Sequence, residues 1–574
     1  MRHSSSFEWI LPPRPEGLST FRWLRNFLRE EILNGRILPG SRLPSSRELA
    51  RQYRLSRSTI LAALDELQAE GYLEGRRGSG TYVSEHLLQL PAVHVPATLI
   101  PAAGTPAQLL AGTPSAAGLP PAAGLPPVAE LPPVAGPGAP FAALPRVEPV
   151  SSAVEADHLH LSAFARRTTP LVMAIRPESR AFRTNLPALD LFPTTLWAQV
   201  AARRMRSATA ADLLGCDAAG YLPLRQAIAA YTHRSRGIRC TAEQIVIVSG
   251  VQEGLDLTAR LLVDPGDKVL LEDPGYQGAY TLLRAMGARI VSMPVDAEGA
   301  APQEASLRGS RLIYVTPGHQ YPLGVTMSLP RRLQLLTWAS RYNVPIFEDD
   351  YDGEFRFSGR PIPAMQGLDP MGRVIFCGSF NKTMFPSLRL GYLVLPQTLL
   401  EVFIRAKAMT TRHHSILQQQ PLCDFIEQGH LGRHLRRMRR IYAERFALLC
   451  ECAGQYLDEY LEVAKIEAGL QTIAHLRPSL TTLGVTAESV ALRAARDGLD
   501  LVPLGFYGHH LKPPEALQIG FAAVEEREIR PGVQKLARVL EHLGKEQRAQ
   551  PATTPTAPKA GTASQQVSAS LPVT

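Results

Sequence analysis

In "GSFNKTMFPSLRL", residues 378–390, Lys382 stands in a turn flanked by Gly378 and Ser379 straight after an apolar run, and Arg389 follows on the same stretch. An amine so placed can condense with an aldehyde to an imine, and an arginine fork with a serine hydroxyl can hold a phosphate. Taken alone, Lys382 reads as readily as a surface charge. Three other stretches bear on the choice. In "IVIVSGVQEGLDL" a strand ends at Ser249-Gly250 and a helix starts at once, so the N–H groups of Gly250, Val251 and Gln252 point out of its positive end. That is a phosphate seat or an ordinary strand-to-helix turn. "EDPGYQGAY" offers Tyr276 on a Pro-Gly turn, either stacking on a planar ligand or packed in a core. In "IFEDDYDGEF", Asp349 and Tyr351 lie two apart and so on one side of an extended strand end. An acid and a phenol there suit a protonated ring nitrogen and a phenolate oxygen. Glu348, Asp349, Asp350 and Asp352 together also suit Mg²⁺.

Lys382 arbitrates. An aldehyde that also carries a phosphate and a ring nitrogen is pyridoxal phosphate, and a helix N-terminus, a stacking ring, an acid with a phenol, and a lysine with a serine and an arginine are what it needs. No metal is then called for. The elements that must position these groups are short β-branched runs alternating with helical stretches, among them "EQIVIVSG", "DKVLLEDPGY", "RLIYVTPGH", "RVIFCGSFNK" and "LGYLVLP". Such alternation predicts a largely parallel sheet covered on both faces, with ligands beyond the strand carboxyl ends.

A second, smaller constellation precedes it. Phe21, Leu24, Leu28 and Ile32 recur at helical spacing, with Asn34-Gly35 as a stop. Ser45 lies three residues before Glu48, a capping box for a short helix bearing Arg47. After the turn at "YRLS", Ser56 caps a second helix that buries Ile60, Leu64 and Leu67 and exposes Arg57, Ser58 and Thr59 at its first turn. Those groups reach base edges and phosphates when a helix N-terminus enters a major groove. "YLEGRRGSGTYV" then reads as a hairpin with Arg76, Arg77 and Gly78 at its tip. A lone arginine would be a solvated charge; the order helix, capped helix, turn, capped helix, basic hairpin predicts a winged helix-turn-helix on double-stranded DNA.

The 574 residues exceed one ordinary core, and a net charge of +9 favours an anionic partner. The predicted organisation is an N-terminal arm at 1–16, the DNA-binding unit at 17–85, a Pro/Ala/Gly-rich linker at 86–155 with repeated Leu-Pro-Pro, the large unit at 156–544 and a disordered tail at 545–574. The six scattered cysteines read as reduced thiols. The start lacks a continuous apolar segment and no run of about 18 apolar residues occurs, so a cytoplasmic protein with no membrane partner is expected.

"GSRLPSSRELARQYRLSRSTILAALDELQAEGYLEGRRGSGTYV" resembles the DNA-binding domain of the GntR family of bacterial repressors and activators. "SGVQEGLDL", "LLEDPGYQGAY", "TPGHQYPLGVTMSLPRR", "IFEDDYDGEFRF" and "GSFNKTMFPSLRLGYLVLP" resemble fold type I aminotransferases and, more closely, the aminotransferase-like domain of MocR-type regulators, the GntR branch that joins both units. The resemblance implies an α+β winged helix-turn-helix joined by the linker to an α/β fold type I domain. It implies that Lys382 carries pyridoxal phosphate as an aldimine, Asp349 faces the pyridine nitrogen, Tyr351 bonds the ring hydroxyl and Tyr276 stacks. Ser379, Arg389 and residues Gly250, Val251 and Gln252 would hold the phosphate, with His319 and Gln320 in the loop lining the ring. A head-to-tail homodimer is also implied. Two positions depart from the aminotransferase pattern. "HQYPLG" carries Leu323 where threonine is usual, and "ALQIGFAA" places Gln518 where aminotransferases hold a substrate carboxylate with arginine. A neutral amide does not replace that charge-assisted fork, so ordinary amino acids should bind weakly. The expectation is a regulator that senses pyridoxal phosphate, an amine or an amino acid to control an operator. The alternatives are an aminotransferase with an accessory DNA-binding domain, and a degenerate large unit that only dimerises.

Overall fold

The computed structural model describes residues 14, 20–33, 36–53, 55–69, 72–76, 80–84, 160–168, 181–358 and 363–549. The linker expected at 86–155, the helix stop at Asn34-Gly35 and the hairpin tip at Arg77 and Gly78 lie outside the described residues. So does most of the expected tail, but helix Glu526–Ala549 takes in its first five residues, 545–549. Its amphipathic face, with Ile529, Val533, Leu536 and Leu540 buried, carries the helix through Lys545.

The head is built from α1 (Thr20–Leu33), α2 (Ser46–Gln52) and α3 (Arg57–Ala69), followed by β1 (Leu73–Arg76) and β2 (Gly80–Val83). The two strands pair antiparallel from Leu73 opposite Val83 to Arg76 opposite Gly80. The capping box forms: Ser45 Oγ accepts from Glu48 N at 3.3 Å and Glu48 Oε2 accepts from Ser45 N at 2.7 Å. Ser56 Oγ accepts from Thr59 N at 3.1 Å and fixes the start of α3. Leu24, Leu28 and Ile32 of α1, Leu49 of α2, and Ile60, Leu64 and Leu67 of α3 make one buried core with Leu73 and Val83.

The large unit has an eight-stranded sheet of β3 (Ile245–Val248), β4 (Lys268–Asp273), β5 (Arg289–Asp296), β6 (Gly299–Ala300), β7 (Ser310–Val315), β8 (Ile346–Asp350), β9 (Val374–Ser379) and β10 (Gly391–Val394). Their spatial order is β3-β10-β9-β8-β7-β4-β5-β6. Strands β5, β4, β7, β8 and β9 run parallel, as expected of apolar strands buried on both faces. The sheet is nonetheless mixed, because β10 enters antiparallel between β9 and β3. The segment from Phe380 to Leu390 is too short for the crossover a parallel neighbour needs. Strand β3 is antiparallel to β10 and so parallel to β9, which puts the carboxyl ends of β3, β4, β7, β8 and β9 at one edge.

A second sheet, antiparallel, follows in the chain. It contains β11 (Leu461–Val463), β12 (Gln471–Leu476), β13 (Val502–Pro503) and β14 (Ala516–Gly520) in the order β11-β12-β14-β13. Among the described residues no helix is long and apolar enough to cross a membrane.

Candidate functional site

The shared edge of the large sheet gathers the expected groups. After β9, the one-turn helix Phe380–Thr383 turns Lys382 inward, and its Nζ donates to the Asn185 carbonyl at 2.6 Å. The residue as a whole is half-buried, but its amine sits in dry surroundings, and burial lowers its pKa to about 8. A neutral fraction near neutrality is what imine chemistry requires of an amine.

Asp349, near the end of β8, is buried; its Oδ2 accepts the Tyr314 hydroxyl at 2.5 Å and its Oδ1 has no partner. Burial pushes its carboxyl up to about 8, partly offset by the Tyr314 bond. A cationic N–H delivered to Oδ1 would restore the charged form. Tyr351 follows the strand, its hydroxyl 2.9 Å from His319 Nδ1, which is also 2.9 Å from Asp352 Oδ2. Tyr276 caps helix Gln277–Met286 and lies over this floor, with ring centroids 6.5 Å from Tyr314 and 6.0 Å from Tyr321. Its hydroxyl donates to Gln252 Oε1 at 3.2 Å.

On the adjoining strand end, helix Val251–Leu262 starts at Gly250 with no side-chain cap, leaving its first N–H groups to the site. Gly250 has φ 140°, and an added Cβ would stand 2.8 Å from Asn381 Nδ2, so only glycine lets the lysine turn approach. Asn381 Nδ2 donates to the Ser249 carbonyl at 3.1 Å, and Arg389 Nη2, exposed, to Ser249 Oγ at 3.4 Å. Ser379, Arg389 and the helix start thus share one corner. Gln320 differs from a ring-lining group: its amide donates to the carbonyls of Pro274 at 3.0 Å and Tyr321 at 2.8 Å and braces its own loop.

The four carboxylates of "EDDYD" diverge. Glu348 accepts from Met365 N and Gln366 N, Asp350 pairs with Arg236, and Asp352 holds His319, because neighbouring residues on a strand face opposite ways. Among the described residues no group of three or more metal-ligating side chains converges. Four site residues escape the motif reading: Asn185, Tyr314, Tyr321 and Gln471. Tyr314 looks like any core position of a buried strand, and Asn185 and Gln471 come from separate stretches that meet only in the fold, with Gln471 Oε1 accepting from Asn185 N at 2.6 Å.

An unpartnered acid, an uncapped helix start, an amine of lowered pKa and an aromatic roof fit pyridoxal phosphate, whose aldehyde, ring nitrogen and phosphate call for those partners.

In the head, Arg47, Arg57 and Ser58 are exposed and Thr59 is half-buried at the start of α3. The hydroxyls of Ser45 and Ser56 are engaged as caps, and Ser56 Oγ also lies 2.9 Å from Ser58 Oγ. Arg76 ends β1 next to the tip.

The family described as aminotransferase class I and II matches residues 185–536, and that described as bacterial regulatory proteins, gntR family, matches residues 24–83. The chain is 37% identical over 519 residues to a probable rhizopine catabolism regulatory protein, MocR, of Rhizobium meliloti, covering 90% of this chain and 92% of that protein. It is 26% identical to the pyridoxine biosynthesis transcriptional regulator PdxR of Corynebacterium glutamicum, covering 90% and 95%. The kynurenine aminotransferase of Pyrococcus horikoshii, solved with PMP, superposes with TM-score 0.58 at 27% identity over 63% of this chain and 90% of that one. The chain therefore belongs to the MocR-type regulators, the pyridoxal-phosphate-dependent GntR proteins that join a winged helix-turn-helix to a class I and II aminotransferase domain.

Proposed function

We propose that this regulator holds pyridoxal phosphate at the sheet edge and that the cofactor, or a small amine meeting it there, sets how the head engages an operator. The observation that carries the reading is the Lys382 amine and the unpartnered Asp349 oxygen at one buried edge of a chain whose head exposes Arg57. In this reading Lys382 is the covalent anchor, Asp349 bonds the ring nitrogen, Tyr351 bonds the ring hydroxyl and Tyr276 covers the ring. Ser379, Arg389 and the N–H groups at Gly250, Val251 and Gln252 take the phosphate, while His319 and Gln320 shape the loop beneath. The bound group supplies an electrophilic aldehyde and an electron-withdrawing ring. In the head, Arg47, Arg57, Ser58 and Thr59 meet the major groove, Ser45 and Ser56 fix the helices that carry them, and Arg76, with Arg77 and Gly78 beyond the described residues, adds further contacts to the DNA.

Similarity to a pyridoxine biosynthesis regulator favours the cofactor itself as signal, and similarity to a catabolic regulator favours a small amine. A head-to-tail homodimer in the cytoplasm completes the reading, since a ligand can shift the spacing of two heads only if it favours one dimer arrangement. The test is binding to the chain's own upstream DNA at fixed salt, with and without pyridoxal phosphate and a panel of amines. A ligand-dependent change that disappears in Lys382→Ala is the expected result; identical binding throughout refutes the sensing role. Fast turnover of an amino acid and 2-oxo acid pair, with DNA affinity unchanged, would instead establish an aminotransferase.

A further inference from the structure

Gln518 lies in mid-β14, fully buried; its Oε1 accepts the Tyr507 hydroxyl at 2.7 Å and its Nε2 makes no hydrogen bond. Register pairs Gln518 with Ile473 and Gly520 with Gln471, so Gln471 shares its face of the small sheet. The Gln471 amide, also buried, accepts from Asn185 N and leaves its own Nε2 without a partner. Asn185, whose carbonyl takes the Lys382 amine, has a buried Oδ1 equally unpartnered, and so has His319 at Nε2. Tyr321 and Tyr507 join this wall, their hydroxyls 3.1 Å apart. Buried polar atoms without partners are costly and rare, and a cluster of them points to a ligand that supplies the partners.

The chemistry of the cluster restricts that ligand. Two amide N–H donors, an amide oxygen and an imidazole nitrogen ask for groups that both accept and donate, as hydroxyls do. Among the described residues of the bordering segments, Arg183 pairs with Asp500 at 3.1 Å, Arg356 with Glu467 at 2.6 Å, and Arg236 with Asp350. A carboxylate would enter this wall without a counter-charge. We infer that the wall formed by Gln471, Gln518 and Asn185 receives a small primary amine that carries hydroxyl groups and no carboxylate, its amine directed toward Lys382.

The inference rests on the sensing role proposed above and names its ligand class. Its test uses the full chain loaded with pyridoxal phosphate, titrated with 2-amino-1,3-propanediol, alanine and isopropylamine, and read by calorimetry, by the visible absorption of the bound cofactor and by operator binding. The diol is expected to bind at least about tenfold tighter than either competitor, since a site built to bond hydroxyls rejects analogues without them. Gln471→Leu and Gln518→Leu should each lower affinity for the diol about tenfold or more beyond any change in that for isopropylamine. The cofactor band serves as the check that each variant is assembled, and Gln471→Leu carries the test if Gln518→Leu does not fold. Alanine binding tighter than the diol, equal affinity for all three, or a diol affinity indifferent to both substitutions overturns the inference alone. If the wild-type chain never develops the cofactor band, the cofactor reading fails with it.

Discussion

Asp349→Asn should act in opposite directions on the empty and the loaded protein. In the empty site the carboxyl is buried, with pKa pushed up to about 8 against an ordinary value of 3.8. The folded state therefore keeps a proton that the unfolded chain releases, so stability present below about pH 4 is progressively lost as pH rises toward 8. At about 1.36 kcal/mol per pH unit, the cost reaches about 4 kcal/mol by pH 7. Asparagine removes that cost and keeps an oxygen for Tyr314, but its buried amide takes back about 1–3 kcal/mol. The empty variant should then be about 1–3 kcal/mol more stable than wild type at pH 7 and no more stable at pH 5. On the proposed role of Asp349, the loaded variant should lose a charge-assisted bond to the ring nitrogen worth about 1.5–3 kcal/mol, so cofactor affinity should fall about ten- to a hundredfold. Urea unfolding of the large unit at both pH values, with a pyridoxal phosphate titration, reads both effects. A variant less stable at both pH values, with unchanged cofactor affinity, would refute the reasoning.

Lys382→Ala should abolish borohydride-fixed attachment of pyridoxal phosphate, checked by mass spectrometry, and in the wild type the rate of attachment should rise with pH through an inflection near 8, where the amine loses its proton. Gly250→Ala should weaken cofactor binding, because the new methyl meets Asn381 and strains a residue at φ 140°; equilibrium dialysis would show it. Arg57→Ala should cost about 1–3 kcal/mol in operator binding and little on random DNA if the guanidinium reads a base, measured by fluorescence anisotropy at fixed salt. Ser45→Ala should destabilise the head by about 1 kcal/mol through the lost capping box, read from its thermal transition.

What the sequence disclosed and what it concealed divide along the range of the interactions. The capping box at Ser45 and Glu48, the apolar stripe of α1 and the strand-to-helix turn at Gly250 are written in a few adjacent residues, and all three appear in the fold. The convergence of Lys382, Asp349 and Tyr276 followed from one rule about strand carboxyl ends. Tyr314 under Asp349, Asn185 under Lys382 and Gln471 behind Asn185 are partners far apart in sequence, and nothing local marks them. Strand geometry also sends Glu348 and Asp350 away from Asp349, so the carboxylates of "EDDYD" do not converge although they stand together in the sequence. The parallel run of the sheet was legible from its apolar strands, whereas the reversal at β10 depended on the length of the connection before it.

The insertion of β10 between β9 and β3 also governs the order in which the chain can mature. Among the described residues strand β3 has β10 as its one neighbour in the sheet, so its ladder hydrogen bonds wait for residues 391–394 before they close. The corner proposed for the phosphate, where β3 and β9 end, is no older than that closure. The head needs nothing beyond residue 84 for its described core, and its contacts are local, which favours fast folding during N-to-C synthesis. A ribosome-bound chain can thus complete the described core of its DNA-binding head well before the large sheet closes, and a chain cut short between the head and β10 would keep that core without the completed sheet edge.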